Sequence, residues 1–286
     1  MKMILSRKGF DSGYGGVPSP ILPDGRMASL PIPSSKGLPA RQCRSGGIAM
    51  SDLLRDLSGG RIDGDTLLHL DPDLELDSTT RKPGWTPAFG QVGAAQSHLN
   101  NQNVGVGDIF LFFGWYRHVE FKNMRWQYVP GEKDFHSLFG WLQIGEVLAI
   151  DTLKSHEIPD WLSEHPHVAH KESFSNQRNT IYISASTLSV DNHTKKMPGA
   201  GMFRHWTPEL KLTAPGQSRS VWNVPRWLEP SGIRPPLTYH GSPGRWHRTG
   251  DGLQLQSVAK GQEFIFDSTY YPESLEWVNK LIERHV

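Results

Sequence analysis

The chain has 286 residues, with 30 Lys and Arg against 29 Asp and Glu, a formal net charge of +1 and a single cysteine. That balance excludes a global basic field able to hold nucleic acid by counterion release, so bulk duplex binding is expected to be weak and any nucleic-acid contact local. A lone Cys43 excludes an intrachain disulfide and any multi-cysteine zinc or iron–sulfur site, and it fits a reducing, cytoplasmic setting. No run approaches the roughly 18 apolar residues that span a bilayer, and MKMILSRKGF has too short an apolar stretch for a signal peptide, so no membrane partner is expected.

Residues 3–7 predict a first strand, which runs into KGFDSGYGGVPSPILPDGRMASLPIP, a segment dense in turn residues. Its Asp11 and Asp24 are either carboxylates of a surface loop or groups set among Gly, Ser and Pro where backbone comes close to a ligand. Ser51 reads as the cap of a short helix to Leu57, with Leu53, Leu54 and Leu57 on one face and Gly59–Gly60 as its stop.

Directly after it comes HLDPDLELD. In an extended chain Leu68, Leu70, Leu74 and Leu76 would face one side, and His69, Asp71, Asp73, Glu75 and Asp77 the other. A half-buried strand with a wet face explains the alternation by itself. The residue types support a second reading, because His-x-Asp puts an imidazole nitrogen and a carboxylate oxygen on one face, as a mononuclear divalent centre needs. Pro72 removes a backbone donor and suits a strand end or an edge.

Residues 89–100 read as a second helix with Val92, Ala95 and Leu99 as its apolar stripe, and His98 lies one residue off it. GVGDIFLFFGWYR turns into a continuous apolar run from Ile109 to Phe113, suited to a central strand, and 139–150 predicts its partner. Both 109–113 and 145–150 are expected to be buried, with a hairpin between the strands turning at Pro130–Gly131. After a helical turn at 160–164, HPHVAH presents His165, His167 and His170 as chelators or as structural and capping groups. Further strands are expected at 179–186, 201–206, 210–213, 253–258 and 261–267, and a final amphipathic helix at 272–284 with Leu275, Val278 and Ile282 inward. The absence of a repeat, low-complexity linker or composition break makes residues 1–286 one mixed α+β domain, with a central, largely antiparallel sheet or partial barrel and long ordered loops.

No phosphate-loop, nucleophile-elbow or HExxH motif is present, and no dinucleotide-binding glycine motif is convincing, so no nucleotide cofactor is expected. Cys43 has no identifiable base and is not taken as a nucleophile. Aromatic and basic residues interleave in GWYRHVEFKNMRWQY and GMFRHW, which either cradle an unstacked base or nucleotide or follow ordinary strand patterning.

Taken in order, ILSRKGFDSGYGGVPSPILPDGRMASLPIP, HLDPDL, GDIFLFFGWYR, FGWLQIGEV, HPH, NTIY and GQEF make nearly the whole chain resemble the third nucleotide-modification-associated domain family. The resemblance implies a setting of base modification in DNA, often phage-related, and brings no established catalytic residues. Within 105–150, GDIFLFF followed by GWLQIGEV is similar to the barrel of PUA-like domains such as ASCH and EVE, some of which bind altered bases, although the long aromatic insertion departs from that pattern.

Three functions follow as expectations. The first is an enzyme of nucleotide or DNA base modification using a divalent metal, iron, manganese or zinc. His69 and Asp71 lead its ligands, a second histidine comes from His98, His165, His167 or His240, and Asp11 is a base or further ligand. The second is a non-catalytic module that reads an altered base through Trp115, Trp126 or Trp141, with Arg117 beside them. The third is an enzyme acting on a peptide or small metabolite.

Overall fold

The run from Ile109 to Phe113 is apolar without alternation because both its faces are covered, and all five residues are fully buried. It lies at the centre of a mixed α/β architecture in a computed structural model that describes residues 1–190, 193–250, 252–259 and 261–286, with backbone alone for 193–195. In chain order the main sheet contains β1 (Lys2–Arg7), β2 (Ser19–Ile21), β3 (Ala88–Gln91), β4 (Ile109–Lys122), β5 (Arg125–Tyr128), β6 (Phe135–Ala149), β7 (Thr180–Ser184), β8 (Ala200–Met202) and β9 (Glu263–Asp267). The order β9-β1-β4-β6-β7-β3 forms its path, with β8 on β6 and with β2 and β5 on β4. β1 and β2 run parallel to β4, and the other pairings are antiparallel. The sheet is open, so 105–150 forms no closed barrel.

Among the described residues four α-helices accompany it: α1 (Met50–Leu57), α2 (Gly93–Asn101), α3 (Pro166–Ala169) and α4 (Glu273–His285). No helix among the described residues is long and apolar enough to cross a membrane. The principal core cluster joins Met3 and Ile4 of β1, the apolar run of β4, Trp141 and Leu142 of β6, Trp222, Leu253 and Leu255 of a small three-stranded sheet, and Val278 and Ile282 of α4. A second cluster, holding Phe10, Val17, Leu30, Met50, Leu54 and Leu68, packs the irregular N-terminal region.

Several expectations are corrected. HLDPDLELD is not a continuous strand: only Leu67–Leu68 pairs regularly, and a short 3-10 turn covers Leu76–Ser78. Leu76 is 65% exposed and Asp73 is buried, against the alternation. Pro72 has no donor for a ladder, and Arg81 draws Asp73 inward through a two-pronged contact with its carboxylate. Residues 89–100 divide, because β7 pairs with Ala88–Gln91 before the helix starts at Gly93, whose φ of 62° makes the turn. The hairpin turns at Asn123–Met124, since β4 extends to Lys122 and pairs with β5, and Pro130–Gly131 falls in the link to β6. Beyond Ile144 a bulge carries β6 out of the core, leaving Gly145, Glu146, Val147 and Ala149 exposed.

Ser51 does not cap α1, whose N-cap is Ala49 without a side-chain bond. Of the strands expected at 201–206 and 210–213, only Ala200–Met202 forms, with isolated bridges near 211 and 213. Strands Thr187–Val190, His193–Pro198, Val221–Val224 and Trp246–Thr249 add to the expected set.

Candidate metal centre

Three chain segments meet at the edge strand β3. Backbone bonds fix the first: His69 N–H donates to Ile32 O (2.9 Å), while Asp73 and Ala88 exchange N–H···O bonds of 2.9 and 3.0 Å. Between those anchors the Asp71 carboxylate turns onto β3 and accepts the Gly90 N–H at Oδ1 (2.8 Å). The third segment is α3. Pro166 occupies its first turn, where its fixed φ and missing donor cost nothing, and His165 is the N-cap whose Nδ1 accepts the His167 N–H at 3.3 Å.

This packing brings His69, Asp71 and His167 together, with one ligand atom from each lying within 4.8 Å of the others. His69 Nε2 stands 3.8 Å and His167 Nε2 3.6 Å from Asp71 Oδ2. His165 Nε2 stands 3.5 Å from the other oxygen, Oδ1. Donors each 2.0–2.2 Å from one first-row ion lie about 3.0–3.4 Å apart, a few tenths of an ångström less than the two gaps to Asp71 Oδ2. The side chains of Asp71, His165 and His167 are buried, and that of His69 is half-buried.

The hydrogen bonds around His167 set its tautomer. Asn179 Nδ2 donates to the His167 carbonyl at 2.8 Å, which turns the amide oxygen Oδ1 toward His167 Nδ1 at 2.7 Å. An amide oxygen only accepts, so Nδ1 carries the proton and the neutral ring directs an Nε2 lone pair at the carboxylate. Burial lowers the His167 imidazole to about 4, which keeps it neutral at pH 7. Burial alone would raise the Asp71 carboxyl, but the facing imidazoles of His165 and His69 and the charge of His167 and His165 when protonated outweigh it. They hold the carboxyl well below the usual carboxylate range. Two lone pairs, on His167 Nε2 and Asp71 Oδ2, therefore face each other across 3.6 Å in a buried site.

His165 serves differently. Its Nδ1 accepts a backbone N–H, so the neutral ring has its proton on Nε2, facing Asp71 Oδ1. At 3.5 Å it makes no hydrogen bond there, so the Gly90 N–H alone occupies Oδ1, and Oδ2 faces the other two imidazoles. The cluster opens on a cavity of about 570 Å³ whose wall includes Arg7, Lys8, Asp11, Gln91 and Phe174. Phe174 stacks on His167 at 4.7 Å between centroids, and Lys8 pairs with buried Glu263 at 2.9 Å.

The remaining candidates are placed elsewhere or engaged otherwise. Asp11 lies at the cavity wall, with Oδ1 accepting the Gly13 and Tyr14 N–H groups at 2.7 Å each. His98 and His240 do not join the cluster: His98 Nε2 meets Thr238 Oγ1 (3.2 Å), and His240 uses both nitrogens on backbone groups of Thr238 and Val258. Trp141 is 1% exposed and stacked on Phe203. Trp115 bonds Asp134 through Nε1, and the Arg219 guanidinium covers its ring at 4.2 Å. Arg117 donates to Val129 O at 2.8 Å. Asn179 and Gly90 were not foreseen, since their roles depend on which strands pair and no local spacing signals them. Cys43 is buried, and burial pushes its thiol up to about 11, which suits a packed residue rather than a nucleophile.

No curated protein and no solved structure matches the chain. The model of nucleotide modification associated domain 3 matches residues 2–267, and the chain belongs to that family.

Proposed function

We propose that this chain is a metal-dependent enzyme of nucleotide or DNA base modification, with His69 Nε2, Asp71 Oδ2 and His167 Nε2 as the protein face of a mononuclear centre. The observation that carries this reading is the pair of opposed lone pairs on His167 and Asp71, which repel unless a cation lies between them. A two-histidine, one-carboxylate set suits iron, manganese or zinc. Bound there, such an ion would supply a Lewis-acidic or redox centre beside the cavity. The protein's own work is to orient the face through Asn179, His165 and Gly90, and to shelter a reacting group inside about 570 Å³, a volume suited to a nucleotide or small molecule. Membership of the family favours a nucleotide or unstacked base over a peptide or unrelated metabolite as the occupant. A reader built on Trp115 or Trp141 has less support, because one ring is covered and the other is in the core.

The test is anaerobic reconstitution of chelator-free protein with iron(II), manganese(II) or zinc(II). Wild type is expected to retain about one equivalent of one of them. His69→Ala, Asp71→Ala and His167→Ala should each retain almost none while keeping the wild-type far-ultraviolet circular dichroism. Wild-type protein that retains no metal overturns the reading.

A further inference from the structure

The aromatic and basic stretch from Gly114 to Tyr128 is not used by the metal face, and its far half forms the hairpin of β4 and β5. At the tip, Asn123 and Met124 have φ of 51° and 62°. A two-residue turn with both central residues left-handed normally places glycine second, because a side chain there is strained. Met124 stands in that place and is 83% exposed, so no burial offsets the strain. The flanking pair adds a second unfavourable feature: Lys122 and Arg125 lie directly opposite each other, both are exposed, and neither has an ion-pair partner among the described residues. Like charges in that register repel. Glu120, the acid two residues along the same face, is engaged by Gln127 Nε2 at 2.9 Å. On the other face Phe121 is 51% exposed and meets Trp126 edge-on at 5.0 Å.

The stem beneath the tip is held firmly. Trp126 N–H donates to Asp56 Oδ2 of α1 at 3.0 Å, and Tyr128 donates its hydroxyl to Pro18 O at 2.6 Å. Tyr128 also packs against the cluster of Phe10 and Val17, which bracket the loop carrying Asp11 and Tyr14 at the cavity wall. A protruding tip with two unneutralised cations and an apolar point is therefore mounted on the same scaffold as the candidate centre.

We infer that the tip is a nucleic-acid contact: Lys122 and Arg125 share a backbone phosphate, and Met124 with Phe121 wedges against a base step. The anion relieves the repulsion between the two cations, and apolar side chains between steps are a known means of unstacking bases. This inference rests on the reading that the substrate is a base in nucleic acid. One phosphate shared by two cations on a chain of near-neutral charge gives a shallow salt dependence, with a slope of log K against log salt of about −1.

The test uses the full-length chain with a short duplex and a matching single strand, each carrying 2-aminopurine, read by anisotropy and by base fluorescence. Wild type is expected to bind with that slope and to raise 2-aminopurine fluorescence. Lys122→Glu with Arg125→Glu should weaken binding at least tenfold and flatten the slope. Met124→Gly, which removes the strained side chain, should keep the slope and lose the fluorescence rise. Metal content should be unchanged in both variants, which separates the tip from the candidate centre; loss of metal in either would overturn the tip as an independent contact. No wild-type binding to either DNA, binding that ignores the tip substitutions, or a preference for phosphatidylserine vesicles over DNA would overturn the inference.

Discussion

Asn179 decides which lone pair of His167 faces the Asp71 carboxylate, because its amide is fixed at one end by the His167 carbonyl and at the other by the ring. Asn179→Leu removes that acceptor and frees the imidazole to change tautomer. Side chains that fix a ligand histidine from behind are worth about 10–100-fold in metal affinity, so chelator competition should show a loss of that order, with Asn179→Asp recovering part of it. Glu75 makes a separate point about titration. Burial raises its carboxyl to about 7, against a partial lowering by the hydrogen bond from Ser45, while Asp77 and Asp73 add repulsion. The folded chain then holds a proton that the unfolded chain releases near 4.3, so Glu75 costs stability as pH rises from about 4.5 to 7 and no further above that. Glu75→Gln should match wild type in urea unfolding near pH 4.5 and exceed it by roughly 2–3 kcal/mol at pH 8. A difference that stays constant with pH would show that Glu75 is not the titrating group.

Elements set by continuous apolar composition were legible in the sequence. Ile109–Phe113 and the last helix lie where their patterns put them, because burial on two faces or along one stripe leaves a direct trace in residue type. Pairing left no such trace. Phe89 to Gln91 fall in a segment that reads as helix through its stripe of Val92, Ala95 and Leu99, yet β7 claims their backbone, and the polar row of HLDPDLELD breaks where Arg81 takes Asp73. The candidate site was half legible for the same reason. His69 and Asp71 are two residues apart, so their proximity is local, whereas His167 arrives from nearly a hundred residues away, its place set by α3 on β3. That contact depends on Gly90: a Cβ there would sit 2.3 Å from Cδ2 and 2.7 Å from Nε2 of the His167 ring. Gly90→Ala must push the imidazole aside, since the opposite wall is strand backbone. Metal affinity should fall by more than tenfold while the circular dichroism of the sheet persists. An alanine variant that binds metal as wild type does would mean that the ring has room the packing does not show.

At the scale of the whole molecule, the two ends of the chain close the structure. β1 lies between β4, to which it is parallel, and β9, to which it is antiparallel, so the sheet carrying the candidate site is completed only when the last strand docks. The family match ends at residue 267, yet α4 follows and seals the same core with Val278, Leu281 and Ile282, all buried in the principal cluster. His285 fastens its end through the Arg204 N–H to its carbonyl (3.1 Å) and a contact with Thr207 Oγ1 (2.8 Å). Burying three aliphatic side chains is worth about 1.5–3 kcal/mol each, which together approaches the ~5–15 kcal/mol that separates folded from unfolded domains. Removal of residues 273–286 should therefore not give a slightly weaker version of the same protein. Thermal unfolding should lose its cooperative transition, and the uncovered face of the sheet should bind a hydrophobic dye. The metal site should fail with it, although no ligand lies in the deleted segment, because the core cluster that packs β1 and β9 loses its α4 members. A truncated chain that unfolds cooperatively within a few degrees of wild type would show instead that the sheet is self-sufficient and α4 an appendage.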